Sequence, residues 1–344
     1  MTMRSHHAHT PLPRGVSLLL AVALLSLCLF CLGACSDQIY DPTQDTLILN
    51  EGTGKGTGNL EIPTEPPTGT VIEIPNSDPF ENSPHVLRAD FLNTGTSDAI
   101  LIRMDSTVIL MDTGESDDYS TISRKLTEYG ITQIDYLIIS HYDNDHIGTA
   151  AQILQSYTVK NLYMPDYVRD SSLYRRMTTV LEALPRVTVH RLTEDVRIDL
   201  SYGSLWINPT GLYEAGLTLG SDDSHSLEEN NYSLMTSVYF GDISILLAGD
   251  AEQDRLTEFI EIVDGELSYD VIKIPHHGGY DKALSNLLRE NTGLRYCMVH
   301  VGNESLAEAS LITAIRASGA PAKFTCNGDI SFATDGVSMT VNQE

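Results

Sequence analysis

The sequence predicts an α/β fold in which two β-sheets pack together with helices on the outside. Three observations predict it. From about residue 85 onward, short β-branched or apolar runs alternate with segments whose apolar residues recur at helical spacing. The alternation comes in two β-rich blocks, the second opening near Val187, which suits two sheets rather than one. The chain has 344 residues, 42% hydrophobic and 20% charged, enough for a full core and outside the range of wholesale disorder.

Val86–Leu92, Ala99–Met104 and Thr107–Met111 are apolar or β-branched runs separated by turn residues, so they read as strands. Tyr119–Tyr129 has helical spacing. Ile134–Ile139 is a buried strand that runs straight towards His141, and Ile147–Gln155 reads as the helix after it. Lys160–Met164 follows as a strand and Ser171–Leu184 as a helix. In the second block, Ser233–Phe240 and Ile243–Ala248 form a hairpin turned at Gly241-Asp242. Asp250–Val263 reads as a helix, Val271–Ile274 as a strand and Lys282–Glu290 as a helix. Tyr296–Val301, a helix around Leu306–Ala317 and two late strands complete the domain, placed at 85–344.

Ahead of that domain stands an address. Arg4 and Arg14 flank a start without acidic residues, the apolar run Val16–Leu32 follows, and Leu32-Gly33-Ala34-Cys35 ends it. A basic region, an apolar region and small residues before a cut site describe a secretory signal over 1–34. The last four residues resemble the lipobox of bacterial lipoproteins, which makes Cys35 the lipidated first residue. A signal anchor kept as a membrane helix is the competing reading, for which the run is short. Residues 35–84 read as a flexible tether: Gly and Thr alternate over 52–58, and Pro63, Pro66, Pro67, Pro75, Pro79 and Pro84 follow. The expected location is therefore extracytoplasmic, on the cell membrane through the N-terminal lipid.

The chain carries 21 basic and 47 acidic residues, a net charge of −26. Loss of 1–34 removes two arginines and no acid, leaving 19 basic against 47 acidic residues, a net −28. This excludes a basic, electrostatically driven nucleic-acid binder but not polyanion chemistry at a metal, which reverses the local field. Five cysteines do not make a disulfide scaffold. Cys297 and Cys326 either pair or sit apart on neighbouring strands, and both readings stand.

Three clusters carry chemistry, each at the end of an apolar strand. His141-Tyr142-Asp143-Asn144-Asp145-His146 places four potential ligands in six residues, more than helix capping by Asp145 would need. Leu246-Leu247-Ala248-Gly249-Asp250 ends in Gly-Asp. Ile272-Lys273-Ile274-Pro275-His276-His277-Gly278-Gly279 ends in paired histidines and glycines, a poor pattern for core residues. Three such clusters point to one metal site.

His-x-Asp-x-Asp-His, then Gly-Asp, then His-His-Gly resembles the metallo-β-lactamase fold superfamily, and most of all the hydrolase domain of ComEC-type competence proteins. Asn93-Thr94-Gly95-Thr96-Ser97-Asp98-Ala99-Ile100-Leu101-Ile102, Met111-Asp112-Thr113-Gly114 and Asn230-Asn231-Tyr232-Ser233-Leu234 add to the likeness, which spans about 86–334. The resemblance implies an αββα sandwich with two divalent metal ions at the edge between its sheets. Asp143 stands where the common superfamily loop has its second His, and Asn231 where a further His lies 19 residues before the bridging Asp. Oxygen for nitrogen shifts the expected metal from zinc towards manganese, with zinc retained as an option.

Carried over residue by residue, the resemblance gives His141 and Asp143 one metal, with Asn231 beside it. Asp145, His146 and one of His276 and His277 take the other, and Asp250 bridges. His277 is the preferred ligand and His276 a substrate contact. Asp112 orients a ligand imidazole, and Asp145 receives the proton of the attacking water. His190 and His300 read as structural. The family's His after the strand at Val301-Gly302-Asn303 is missing, Lys273 faces the site, and His225 lies in a Ser/Asp/Glu-rich segment, 221–229, that reads as a solvated flap. The expected substrate is a phosphoester, with DNA leading. The alternatives are other esters on the same scaffold (phosphorylcholine or teichoic-acid esters, a lactone, a β-lactam) or a non-catalytic surface binding protein. Nothing in the residues identifies a protein partner.

Overall fold

Most of the runs read as strands are strands in the computed structural model, which describes residues 78–211, 218–219, 229–264 and 267–344. These fall within one compact unit, Ile74–Glu344. The signal at 1–34, Cys35, most of the tether and His225 lie outside the described residues. Phe80 is buried and Asp78 ion-pairs with Arg88, so the last residues assigned to the tether pack on the domain.

In the first sheet, strands β1 (Leu87–Phe91), β2 (Ile100–Met104) and β3 (Thr107–Met111) form an antiparallel meander. Helix α1 (Tyr119–Glu128) leads to β4 (Gln133–Ile138), parallel to β3. The expected single helix after His141 is two: α2 (Asn144–Ile147) and α3 (Ala150–Ser156). They part at Gly148, where a Cβ would meet the Glu115 backbone at 2.3 Å. Strands β5 (Thr158–Pro165) and β6 (Val168–Arg169), helix α4 (Ser172–Glu182) and β7 (Thr188–Leu192) follow.

The second sheet starts with β8 (Val196–Asp199) and β9 (Gly203–Asn208); the short β10 (Thr218–Leu219) pairs with β6. The hairpin β11 (Met235–Phe240) and β12 (Ile243–Leu247) turns at Gly241, as expected. Helix α5 (Gln253–Val263) begins three residues after Asp250, which leaves that carboxylate in a turn. Then come β13 (Val271–Lys273), α6 (Lys282–Glu290), β14 (Tyr296–Val299), α7 (Ala309–Ser318), β15 (Ala322–Phe324), β16 (Ile330–Thr334) and β17 (Met339–Gln343). The late strands are thus three rather than two.

The sheets run β17-β16-β1-β2-β3-β4-β5-β7 and β15-β14-β13-β12-β11-β9-β8. Three apolar layers hold them. Phe91, Ile102, Ile109, Val238, Phe240 and Ile245 lie in the core shared by both sheets. Leu110, Leu137 and Leu162 pack with α1, α3 and α4 residues such as Leu126, Ile153 and Met177. Leu246, Ile272 and Val299 pack with Phe259, Leu287 and Leu311 of the later helices. This is the αββα sandwich. Alternate residues of each strand serve the inner and the outer layer, which is why the strands read as nearly continuous apolar runs. Among the described residues no helix is long and apolar enough to cross a membrane.

Candidate metal centre

The strands β3, β4, β12 and β13 end at the same edge of the sandwich, and the polar residues just beyond them meet there. Asp112 follows β3, His141 follows β4, Asp250 follows β12, and His276 and His277 follow β13. Helix α2 carries Asp145 and His146 on its single turn.

Donor atoms of Asp145, His146, Asp250 and His277 all lie within 4.8 Å of one another. His277 Nε2 is 2.9 Å from Asp145 Oδ2 and 3.0 Å from Asp250 Oδ2; His146 Nε2 is 3.2 Å from Asp250 Oδ2 and 3.9 Å from Asp145 Oδ2. Yet neither Nε2 has a hydrogen-bond partner, although both are buried. Buried polar atoms without partners call for an ion or water. Ligands about 2.0–2.2 Å from one cation sit roughly 3–3.5 Å from each other, close to the spacing here. The donor set therefore fits a divalent ion. Asp145 is the one member of the four that is not fully buried, so it faces the direction of entry.

The imidazoles are aimed from behind. Asp112 Oδ2 lies 2.9 Å from His146 Nδ1, while Oδ1 and Oδ2 accept from the Ser140 N–H and hydroxyl at 2.7 Å each. With Nδ1–H committed to Asp112, the Nε2 lone pair is directed to the ion. A second set of close donors, Asp98, Asp112 and His146, uses this rear nitrogen and carboxylates already engaged, so it supports the first set rather than binding a cation. Lys273, fully buried, ion-pairs with Asp98, donates to the Gly249 carbonyl at 2.8 Å, and stands 3.3 Å from Asp250 Oδ1.

Electrostatics follow the geometry. Burial disfavours the Asp250 anion, but His277, His146 and Lys273 outweigh it and hold its carboxyl well below the usual range. Burial likewise opposes charge on His277, yet Asp250 and Asp145 bring it up to about 10; His146 is raised well above its ordinary value against the same burial by Asp250, Asp112 and Asp145. Without a cation the cluster thus holds protons in its place. His300 differs: burial dominates and lowers it to about 4, and neither ring nitrogen has a hydrogen-bond partner.

Backbone strain is concentrated here. Asp112, His276 and His277 adopt φ of 57°, 49° and 48°, a left-handed conformation rare outside glycine. Gly249, at φ 54°, lets Ser140 approach to where a Cβ would stand 2.8 Å away.

Other residues singled out from the sequence take different places. His276 is at the rim, with Nδ1 2.8 Å from Glu252 and its backbone N–H on Asp250 Oδ1 at 3.2 Å. His141 is fully buried, with Nδ1 3.0 Å from Ser140 Oγ and Nε2 3.7 Å from Asp143 Oδ2. Neither His141 nor Asp143 belongs to the four-donor group. Asn231 Oδ1 accepts from the Arg255 N–H at the start of α5; its neighbour Asn230 is the one beside His276, at 3.5 Å. His190 stacks on Tyr163, and Cys297 and Cys326 are unpaired. Sequence reasoning gave no role to Asp98, Arg169 or Glu229. Asp98 precedes an apolar strand, the same signal that marked the other clusters; Arg169 and Glu229 carry none.

A family profile described as the metallo-beta-lactamase superfamily matches residues 92–295. Among curated proteins, ComE operon protein 3 of Bacillus subtilis is 31% identical over 154 residues, 44% of this chain and 18% of that protein. Recombination protein 2 of Haemophilus influenzae is 28% identical over 211 residues, 59% of this chain and 23% of that protein. This chain thus spans about a fifth of either relative. Among solved structures, the metallo-beta-lactamase fold protein YhfI of Bacillus subtilis gives a TM-score of 0.44 at 13% identity, covering 70% of this chain and 96% of that one. A diphosphatase of the PhnP family gives 0.38 at 14% identity, covering 70% and 87%.

Proposed function

The chain belongs to the metallo-β-lactamase superfamily and is a metal-dependent hydrolase, and from that premise we propose that it cleaves phosphodiesters, DNA foremost, on the outer side of a membrane to which Cys35 tethers it. The observation that carries the reading is the convergence of Asp145, His146, Asp250 and His277 donors on one buried spot. A divalent ion held there, zinc or manganese, supplies Lewis acidity and lowers the pKa of water. Asp145, on the open side, takes the proton of the attacking water. Asp112 keeps His146 in the tautomer that presents Nε2. His276 and Glu252 contact substrate at the rim. The names of the two curated relatives, one of them a recombination protein, favour nucleic acid over other esters.

One observation favours a second substrate. A cavity of about 300 Å³ beside His276 is lined by Glu252, Asp281, Glu308 and Tyr280, acids that suit a cationic head group better than a phosphate backbone. The test is the full chain in detergent, loaded with manganese or zinc, on bis(p-nitrophenyl) phosphate, single-stranded DNA, a phosphorylcholine ester and a β-lactam. Turnover of the first two, lost in Asp250→Ala and His146→Ala, is expected. Turnover of the phosphorylcholine ester alone would transfer the activity to the second reading, and activity retained in either variant would refute the site. Cys35→Ala should move the chain out of the membrane fraction.

A further inference from the structure

The resemblance implies two ions, yet the residues on the page build a single one. We infer that this hydrolase binds one divalent ion, and that the guanidinium of Arg169 is a built-in cation at the second position. Arg169 is almost fully buried on β6. Its Nη2 stands 3.3 Å from Asp143 Oδ1 and its Nη1 pairs with Glu229, whose other oxygen accepts from the Tyr167 hydroxyl at 2.6 Å. The arginine is therefore clamped against the carboxylate that a second ion would need. A guanidinium stays charged at any working pH, so it repels a cation there permanently.

The bridging residue gives an independent reason. A carboxylate shared by two ions must offer both of them a lone pair. Asp250 Oδ2 faces His146 and His277, but Oδ1 is taken by the His276 N–H and by Lys273. Among the described residues, His141 and Asp143 are then the two donors left for a second ion, 3.7 Å apart and outside the four-donor group. One ion, one arginine and one lysine together supply the positive charge that the acidic centre needs.

The inference deepens the hydrolase reading, and its test separates the two. The full chain in detergent is stripped with a chelator, titrated with Mn²⁺, desalted and assayed for bound manganese, with the electron paramagnetic resonance spectrum recorded. Expected are one ion per chain, an uncoupled spectrum, and the same stoichiometry and affinity in Asp143→Asn and in Arg169→Lys. The double substitution Arg169→Gln with Glu229→Gln, which leaves no buried charge unpaired, should admit a second ion and a spin-coupled signal. Two ions in the unsubstituted chain, or loss of one in Asp143→Asn, would overturn the inference while leaving the hydrolase reading intact. A double variant that melts normally and still holds one ion would overturn the role of Arg169. Should it fail to fold, the Asp143→Asn arm decides. No bound ion in any form would overturn both.

Discussion

Replacing Asp112 with asparagine should cripple metal binding while leaving the chain folded. The substitution keeps shape and charge-free volume, and asparagine tolerates the φ of 57° found there. Its orientation is dictated by Ser140. The backbone N–H of Ser140, 2.7 Å from Oδ1, requires an acceptor, so the new amide oxygen must stand there. The NH₂ group then faces His146 Nδ1, 2.9 Å from the present Oδ2. A donor against Nδ1 drives the imidazole proton to Nε2, the atom that should hold the ion. Losing such an orienting partner costs about 10–100-fold in metal affinity, or about 1.4–2.7 kcal/mol. The folded state loses charge-assisted hydrogen bonds worth roughly 1.5–3 kcal/mol as well, short of what most domains of this size hold in reserve. Competition with a chelating dye gives the affinity, and thermal melting of the metal-free chain gives the stability. An Asp112→Asn chain that binds metal as tightly as the parent would refute the tautomer argument.

Further outcomes follow from the buried charges. His277 titrates near 10 without a cation, so metal binding at pH 7 must expel its proton; calorimetry in buffers of different ionisation enthalpy should show release, with affinity rising from pH 6.5 to 9. Because the folded state holds that proton more tightly than the unfolded state does, the metal-free chain keeps this stability below about pH 6.5 and loses it towards pH 10. His300 has the opposite sign. Its folded pKa of about 4 lies below the unfolded 6.5, so stability present above pH 6.5 falls on acidification by about 3 kcal/mol, and His300→Gln should flatten that part of the melting profile. Cys297, buried and pushed up to about 12, should resist alkylation in the native chain while the half-buried Cys326 reacts; peptide mapping after labelling distinguishes them.

The sandwich was legible because its strands are unmistakable: β4 and β12 are apolar on both faces and lead directly into polar clusters. The clusters themselves were legible because four ligand-type residues in six, or two adjacent histidines, have no role in a core. What escaped was pairing between distant segments. Arg169 meets Glu229 from 60 residues away, and no local pattern announces such a contact. Lys273 reads as a side chain facing the site, but only the fold shows that Asp98, 175 positions earlier on another sheet, buries and neutralises it. The choice between Asn230 and Asn231 turned on a single residue of register at the head of α5. Helix starts were misjudged where a cluster precedes them, since Asp250 must stay outside α5 for its carboxylate to turn inward.

The pairing of β1 with β16 ties opposite parts of the chain: Ser331 Oγ bonds Asp90 Oδ1 across 241 residues of sequence. During synthesis β1 therefore remains an open edge until residues near 330 emerge, and the first sheet stays unsealed for most of translation. Contacts of such long separation form late and slowly. A nascent chain of this design is held in an unfolded, threadable state by its own topology, the condition that passage through a narrow translocation channel demands, and it acquires its metal-binding edge only after both sheets have closed.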